Sequence, residues 1–239
     1  MLLNLLKIMF GRSGASTAPE TAEDNPLVYW FAKRRGRRLV KLLHYLEVYH
    51  RHFSRYRGRA PVILEIGVFD GGSLDMWRDY FGAGTRIYGV DVDARCSAFG
   101  AADTTIIIGD QGDRNFLKRL REEIGQVDIL IDDGGHHMHQ QIATFEELYS
   151  MVAEDGIYLC EDMHTSYWTE FGGTYRNPGT FVEYSKALID QLNAWHSKGT
   201  AEFTVNEFTR SAHSLHYYDS MLVIEKRPMT PPTVVSTRA

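Results

Sequence analysis

The chain has 239 residues, 44% of them hydrophobic and 24% charged, which fits one large soluble α/β domain with extensions. A formal net charge of −5 argues against a nucleic-acid partner, since phosphate binding needs a basic face. Cys96 and Cys160 are the only cysteines, which excludes a disulfide framework and the spacing of a thiolate metal site. A reducing cytoplasm is the expected compartment.

Residues 1–10 are apolar but interrupted by Asn4 and Lys7. They are too short to span a bilayer, which takes roughly 20 residues, and they lack the layout of a signal peptide. Leu2, Leu3, Leu5, Leu6 and Met9 suggest an amphipathic turn or two, read as a packing or homo-oligomer contact. Residues 1–25 are expected to be a flexible segment, because Gly, Ser, Thr and Ala dominate its second half. Residues 26–58 are read as a helical extension, with Leu39, Leu42, Leu43, Leu46 and Tyr49 at helical spacing over residues 26–56. The basic run Lys33-Arg34-Arg35-Gly36-Arg37-Arg38 reads as a solvated helix face.

From residue 59 to 227 strands and helices alternate, which predicts the main domain. Short apolar runs predict strands over 62–66, 86–90, 104–108, 129–131 and 157–160, each ending on Gly, Asp or Glu. Helical spacing predicts helices over 73–81, 116–124, 138–152 and 181–195. In the first, Leu74, Trp77 and Tyr80 or Phe81 share a face; in the third, Ile142, Phe145, Leu148 and Tyr149 point inward. Residues 201–208 and 220–225 read as two strands with no helix between them, hence an antiparallel hairpin. His213, His216, Tyr217, Tyr218 and Asp219 before the last strand are assigned core and hairpin roles. The tail, residues 228–239 with Pro231-Pro232, is expected to be disordered. The predicted architecture is α/β: a Rossmann-like, mostly parallel seven-stranded sheet with a C-terminal antiparallel hairpin and helices on both faces.

The densest chemistry lies in Asp132-Asp133-Gly134-Gly135-His136-His137 and in Glu161-Asp162, each directly after an apolar run. Ligands of open parallel sheets sit at the carboxyl ends of the strands. Two neighbouring strands would deliver four carboxylates and an imidazole to one rim. Such negative charge calls for a cation, and a hard divalent metal suits oxygen donors. Upstream, Glu65-Ile66-Gly67-Val68-Phe69-Asp70-Gly71-Gly72-Ser73 forms a glycine-rich strand-to-helix loop that lets a ligand approach the backbone. Asp91, twenty-four residues after Gly67, stands at the next strand tip, where an acidic side chain can bind both hydroxyls of a ribose. Asp110 and Gln111 follow the third strand.

The glycine loop together with Gly89-Val90-Asp91-Val92-Asp93 resembles class I S-adenosylmethionine-dependent methyltransferases. Ile131-Asp132-Asp133-Gly134-Gly135-His136 and Cys160-Glu161-Asp162-Met163-His164-Thr165-Ser166-Tyr167-Trp168 resemble more narrowly the metal-dependent, mycinamicin-type sugar O-methyltransferases of macrolide biosynthesis. The similarity covers about residues 60–226 and leaves the long N-terminal domain of the macrolide enzymes without a counterpart. Phe69 stands where many methyltransferases carry the middle glycine. The resemblance implies Mg²⁺ held by Asp133, Glu161 and Asp162, with His136 as the base. It implies S-adenosylmethionine bound by Glu65, Gly67, Gly71, Gly72, Ser73, Asp91, Asp110, Gln111 and Asp132. Asp132 is alternatively a supporting partner of the metal site or a ligand in place of Asp133, and His137 and His139 are alternative bases.

Residues 163–178 read as a mobile aromatic lid, with His164, Tyr167 and Trp168 against a small-molecule glycoside or saccharide acceptor. The activity implied is transfer of a methyl group from S-adenosylmethionine to a sugar hydroxyl in a glycosylated natural product or polysaccharide. A nicotinamide-dependent oxidoreductase is the first alternative, opposed by the absence of Gly-x-Gly-x-x-Gly and of a Tyr-x-x-x-Lys pair. A non-catalytic S-adenosylmethionine-binding partner protein is the second.

Overall fold

The computed structural model describes residues 25–34, 36–199 and 203–237. The expectations for residues 1–24 lie outside the described residues. In chain order the helices are α1 (Pro26–Lys33), α2 (Tyr45–Phe53), α3 (Gly72–Phe81), α4 (Arg114–Ile124), α5 (Met138–Leu148), α6 (Phe181–Leu192) and α7 (Glu207–Ser211). The strands are β1 (Val62–Ile66), β2 (Arg86–Asp91), β3 (Thr104–Ile108), β4 (Val127–Asp132), β5 (Val152–Cys160), β6 (Ala212–Tyr218) and β7 (Met221–Lys226). They form one seven-stranded sheet in the order β3-β2-β1-β4-β5-β7-β6. β2 pairs with β3, and β4 with β5, in parallel; β7 runs antiparallel to both β5 and β6. The predicted mostly parallel sheet with a C-terminal hairpin is therefore observed. No described helix is long and apolar enough to cross a membrane.

The described residues divide into two compact units, one within residues 25–63 and 68–108, the other within residues 64–67 and 109–237. Within the described part of the first, Tyr49, Phe53, Trp77 and Phe81 form an aromatic core. Tyr49 meets Trp77 edge-on at 5.1 Å and Phe53 meets it at 5.7 Å, an arrangement the ring quadrupoles favour. The predicted single helix over 26–56 is instead two helices with a non-helical strap between them, described at residues 34 and 36–44. Asn25 caps α1 through Leu27 N–H and reaches the Leu46 carbonyl at 3.0 Å. At the other end Arg34 is extended and Gly36 takes φ 153°.

The basic run is not a solvated helix face, because tertiary ion pairs override the local pattern. Arg37 Nε donates to Asp75 at 3.0 Å, Arg78 Nη1 lies 3.1 Å from the same carboxylate, and Arg34 lies 3.6 Å from it. The strap passes so close to α3 that a Cβ on Gly72 would strike the Arg38 carbonyl, and one on Gly71 would meet Arg37 and Phe99.

Burial alone would raise the Asp75 pKa, but the hydrogen bond and charge of Arg37, with Arg34 and Arg78, outweigh it and hold the carboxyl below its ordinary 3.8. A lowered folded-state pKa stabilises the fold above the unfolded value and loses that contribution as pH falls through the folded one. Asp75→Asn should therefore flatten the pH dependence of stability below about pH 4 and cost about 2 kcal/mol at pH 7, since the arginines are left facing an amide. Urea titrations at several pH values check this; parallel stability curves for the two proteins would refute it.

In the second unit, β4 and the C-terminal half of β5 are almost wholly buried, as their unbroken apolar runs require. The predicted helix over 138–152 stops at Leu148, followed by a 3₁₀ turn at Tyr149–Met151. Val152 already pairs with Val127 in the sheet. Gly156 permits this longer strand, because a Cβ there would lie 2.7 Å from the Asp128 carbonyl oxygen.

The helix predicted over 181–195 ends at Leu192, with a 3₁₀ turn at Ala194–His196. The strand predicted over 201–208 is not observed in its described part. Asn206 accepts the Thr209 N–H at 2.9 Å and caps α7, and the hairpin strand begins only at Ala212. Asn followed by Thr three residues on is a helix-start signal that outweighs the alternation. Residues 228–237 carry neither helix nor strand.

Candidate active site

Within the second unit, the ends of β4 and β5 build a compact polar cluster. Glu161 N–H donates to the Asp132 carbonyl at 2.9 Å, so the two strands stay in register to their tips. Asp133 N–H donates to the Ile66 carbonyl at 2.9 Å, and a Cβ on Gly67 would collide with the Asp133 carbonyl. Gly67 is thus required by the approach of the Asp133 loop. The chain then turns through Gly134 and Gly135 to His136, which has φ 57°; Asp162 has φ 52°. Left-handed backbone at non-glycine residues is costly and collects at functional sites.

These two turns bring Asp133, His136 and Asp162 together, their ligand atoms all within 4.8 Å of one another. His136 Nε2 lies 3.5 Å from Asp162 Oδ2 and 3.9 Å from Asp133 Oδ1, and its Nδ1 is buried with no hydrogen-bond partner. Glu161, predicted as a third ligand, is wholly buried and stands outside that group. Of the three neighbouring histidines only His136 joins the carboxylates. His137 and His139 line a 490 Å³ cavity with Met138, Ile142 and Phe171, and the His137 and Phe171 rings lie 5.3 Å apart.

Asp132 does not face an open site. It is fully buried beside Gln111, whose Nε2 donates to Asp132 and to Thr144 Oγ1 while its Oε1 accepts the Gly135 N–H at 3.0 Å. Burial pushes the Asp132 carboxyl up to about 8. Gln111 and Asp132, both read from sequence as cofactor contacts, here brace the Gly134-Gly135 turn from behind. Asp110 is exposed and accepts the Gly112 N–H at 2.7 Å, while Glu65 is fully buried in β1.

In the segment after β5, His164 Nδ1 lies 3.0 Å from Ser220 Oγ, and its ring meets Trp168 edge-on at 4.6 Å. Tyr167 and Trp168 are 52% and 46% exposed, so part of their apolar area is open to an acceptor.

In the first unit, Asp91 organises the glycine loop. Its Oδ2 accepts Val68 and Phe69 N–H, both at 2.9 Å, and its Oδ1 accepts Asp93 N–H at 2.9 Å. Phe69 takes φ 51°, and the Arg38 guanidinium lies 5.4 Å from its ring centre. Ser73 is buried at the start of α3. The crowding at Gly72 comes from the strap, and that at Gly71 from Phe99 and the strap's Arg37.

Sequence reasoning missed Gln141, which donates to the Glu161 carbonyl at 3.0 Å, Thr144 and Thr165. Neutral side chains that support a site by bonding backbone or other side chains leave no pattern in a single sequence.

A parallel sheet with an antiparallel hairpin, and an acidic and histidine cluster at the tips of β4 and β5, define a methyltransferase-type fold. No family model matches the chain. It is 34% identical over 218 residues to the 8-demethyl-8-alpha-L-rhamnosyl tetracenomycin-C 2'-O-methyltransferase of Streptomyces olivaceus, covering 88% of this chain and 57% of that protein. It is 35% identical over 188 residues to the mycinamicin VI 2''-O-methyltransferase of Micromonospora griseorubida, covering 74% and 47%. The solved mycinamycin-pathway methyltransferase MycE, in complex with Mg and SAH, is 32% identical with a TM-score of 0.75, covering 90% of this chain and 56% of that chain. The chain is thus a homologue of the sugar O-methyltransferases of macrolide and related antibiotic pathways, and it spans about half the length of the curated relatives it matches.

Proposed function

We propose that this chain is a Mg²⁺- and S-adenosylmethionine-dependent O-methyltransferase acting on a sugar hydroxyl of a glycosylated natural product. The observation that carries the reading is the convergence of Asp133, His136 and Asp162 at the tips of two parallel strands. The donor set fits a hard divalent cation: two carboxylates face one small space, and Glu161 is the adjoining carboxyl residue of the chain. When bound, the cation supplies charge that lowers the pKa of an acceptor hydroxyl and orients it.

The remaining work falls to side chains. Asp133 and Asp162, with Glu161, hold the cation. His136 Nε2 faces the same space, 3.5 Å from Asp162 Oδ2, and takes the hydroxyl proton as the general base. Tyr167 and Trp168 offer ring faces to the sugar, with His164 fixed behind Trp168. In the first unit, Asp91 and the loop residues that it holds serve the cofactor, Asp91 through the ribose hydroxyls. The relatives' acceptors, a rhamnosyl tetracenomycin and mycinamicin VI, support a glycoside as the acceptor class. The same reading places the protein in the cytoplasm as a homo-oligomer.

Asp91→Ala should weaken S-adenosylmethionine binding by about 1–3 kcal/mol, the cost of losing hydrogen bonds to a charged group. Unchanged affinity in calorimetry would remove Asp91 from the cofactor site.

The reading as a whole is tested by titrating S-adenosylmethionine and then NAD into the protein, followed by Mg²⁺-dependent transfer of labelled methyl to rhamnosylated and other glycosides. Binding of S-adenosylmethionine alone, with transfer abolished by EDTA, is expected. Binding of NAD instead, or transfer indifferent to EDTA, would overturn it.

A further inference from the structure

We infer that Thr165 is a positioning residue that ties the proposed base to the proposed metal ligand; this rests on the O-methyltransferase reading above. Its hydroxyl lies 3.0 Å from the carbonyl oxygen of His136 and 2.9 Å from that of Asp162. A threonine has one hydroxyl hydrogen, so two carbonyls share a single donor. Both belong to residues in left-handed backbone, φ 57° and φ 52°. Such conformations persist only where the surroundings over-determine them. His136 follows β4 and Asp162 follows β5, so the Thr165 hydroxyl is a bond common to the two loops that carry the reacting groups.

The threonine is well placed to act as a fixed strut. It is 2% exposed, which shields the shared hydrogen bonds from water. Its own N–H also donates to the Asp162 carbonyl at 3.0 Å, and its carbonyl accepts the Trp168 N–H at 3.0 Å. A Cβ on Gly173 would collide with the Thr165 carbonyl, so the aromatic segment closes tightly over this residue. Loss of the hydroxyl leaves both carbonyls without that donor and frees each turn to relax independently. The 3.5 Å spacing of His136 Nε2 and Asp162 Oδ2 would then no longer be held.

The test compares Thr165→Val, which keeps the shape and removes the hydroxyl, with Thr165→Ser, which keeps the hydroxyl. Mn²⁺ is the probe, followed by electron paramagnetic resonance, alongside thermal melts and steady-state kinetics. Thr165→Val should fold, bind Mn²⁺ roughly 10- to 100-fold more weakly, as supporting residues of metal sites do, and lose kcat while KM for S-adenosylmethionine holds. Thr165→Ser should recover most of the Mn²⁺ affinity. A valine variant with wild-type Mn²⁺ affinity, or a serine variant as weak as valine, overturns the inference.

If the wild-type protein takes up no Mn²⁺, the metal reading itself fails. Positioning is then read from the His136 imidazole resonances in nuclear magnetic resonance. Resonances shifted by valine and restored by serine support the role of Thr165; unmoved resonances overturn it.

Discussion

Asp162→Asn is expected to abolish metal-dependent methyl transfer while leaving S-adenosylmethionine binding intact. Asp162 Oδ2 is the carboxylate oxygen 3.5 Å from His136 Nε2, so the substitution removes half of the charge that Asp133 and Asp162 direct at the shared space. Asparagine is the sharper choice than alanine. Asp162 sits at φ 52°, a region that Asn and Asp enter more readily than other side chains, so the amide variant isolates the loss of charge from a change in backbone. A divalent cation contributes several kcal/mol to such a reaction. Turnover should therefore fall by roughly a hundred- to ten-thousandfold, at about 1.4 kcal/mol per factor of ten. Calorimetry with Mg²⁺ and with S-adenosylmethionine, run separately, divides the two roles. Turnover and Mg²⁺ affinity both at wild-type levels would remove Asp162 from the ligand set.

Gly67→Ala should be the most damaging single methyl group in the chain's second unit. Gly67 has φ +96°, and an added Cβ would sit 2.6 Å from the Asp133 carbonyl carbon and 3.0 Å from Gly134 Cα. Backbone strain of about 1–3 kcal/mol and overpacking of about 1–3 kcal/mol act together, giving an expected loss of about 2–6 kcal/mol. The neighbour that must yield is backbone, and it is the backbone of a proposed ligand, so Mg²⁺ affinity should fall with stability. Gly125→Ala is the control. It has φ +76° but nothing within 4 Å of the added Cβ, so it carries the strain without the collision. Urea denaturation of both variants checks the difference. Equal losses would mean that the approach of the Asp133 loop does not explain Gly67.

Much of the candidate site was legible in the sequence because charged groups in a buried apolar context are conspicuous. Asp133, His136 and Asp162 follow unbroken apolar runs, and parallel strands place their carboxyl ends on one edge. The choice of His136 over His137 and His139 rested on the resemblance, and the structure sets His136 alone beside the carboxylates. Asp132 and Gln111 were legible as site residues but not in their observed arrangement. Sequence shows that a carboxylate stands at a strand tip, not which side of the sheet's edge its side chain takes. Asp132 is turned inward on Gln111, and Gln111 in turn holds the Gly135 N–H.

The sequence by itself determined the order of strands and helices through the middle of the chain, the antiparallel ending, and the two acidic turns. Those features are written in local periodicity and in charge set against apolar runs. Only the tertiary structure decided the strap over residues 34 and 36–44, where the Asp75 carboxylate on α3 holds Arg34 and Arg37 outside a helical pattern. It also decided where β5 begins, since Gly156 packs against the Asp128 carbonyl of the neighbouring strand. Thr165 belongs wholly to this second kind. A buried hydroxyl that joins residues 29 positions apart becomes visible only when the chain has folded back on itself, because hydrogen bonding of that range has no period.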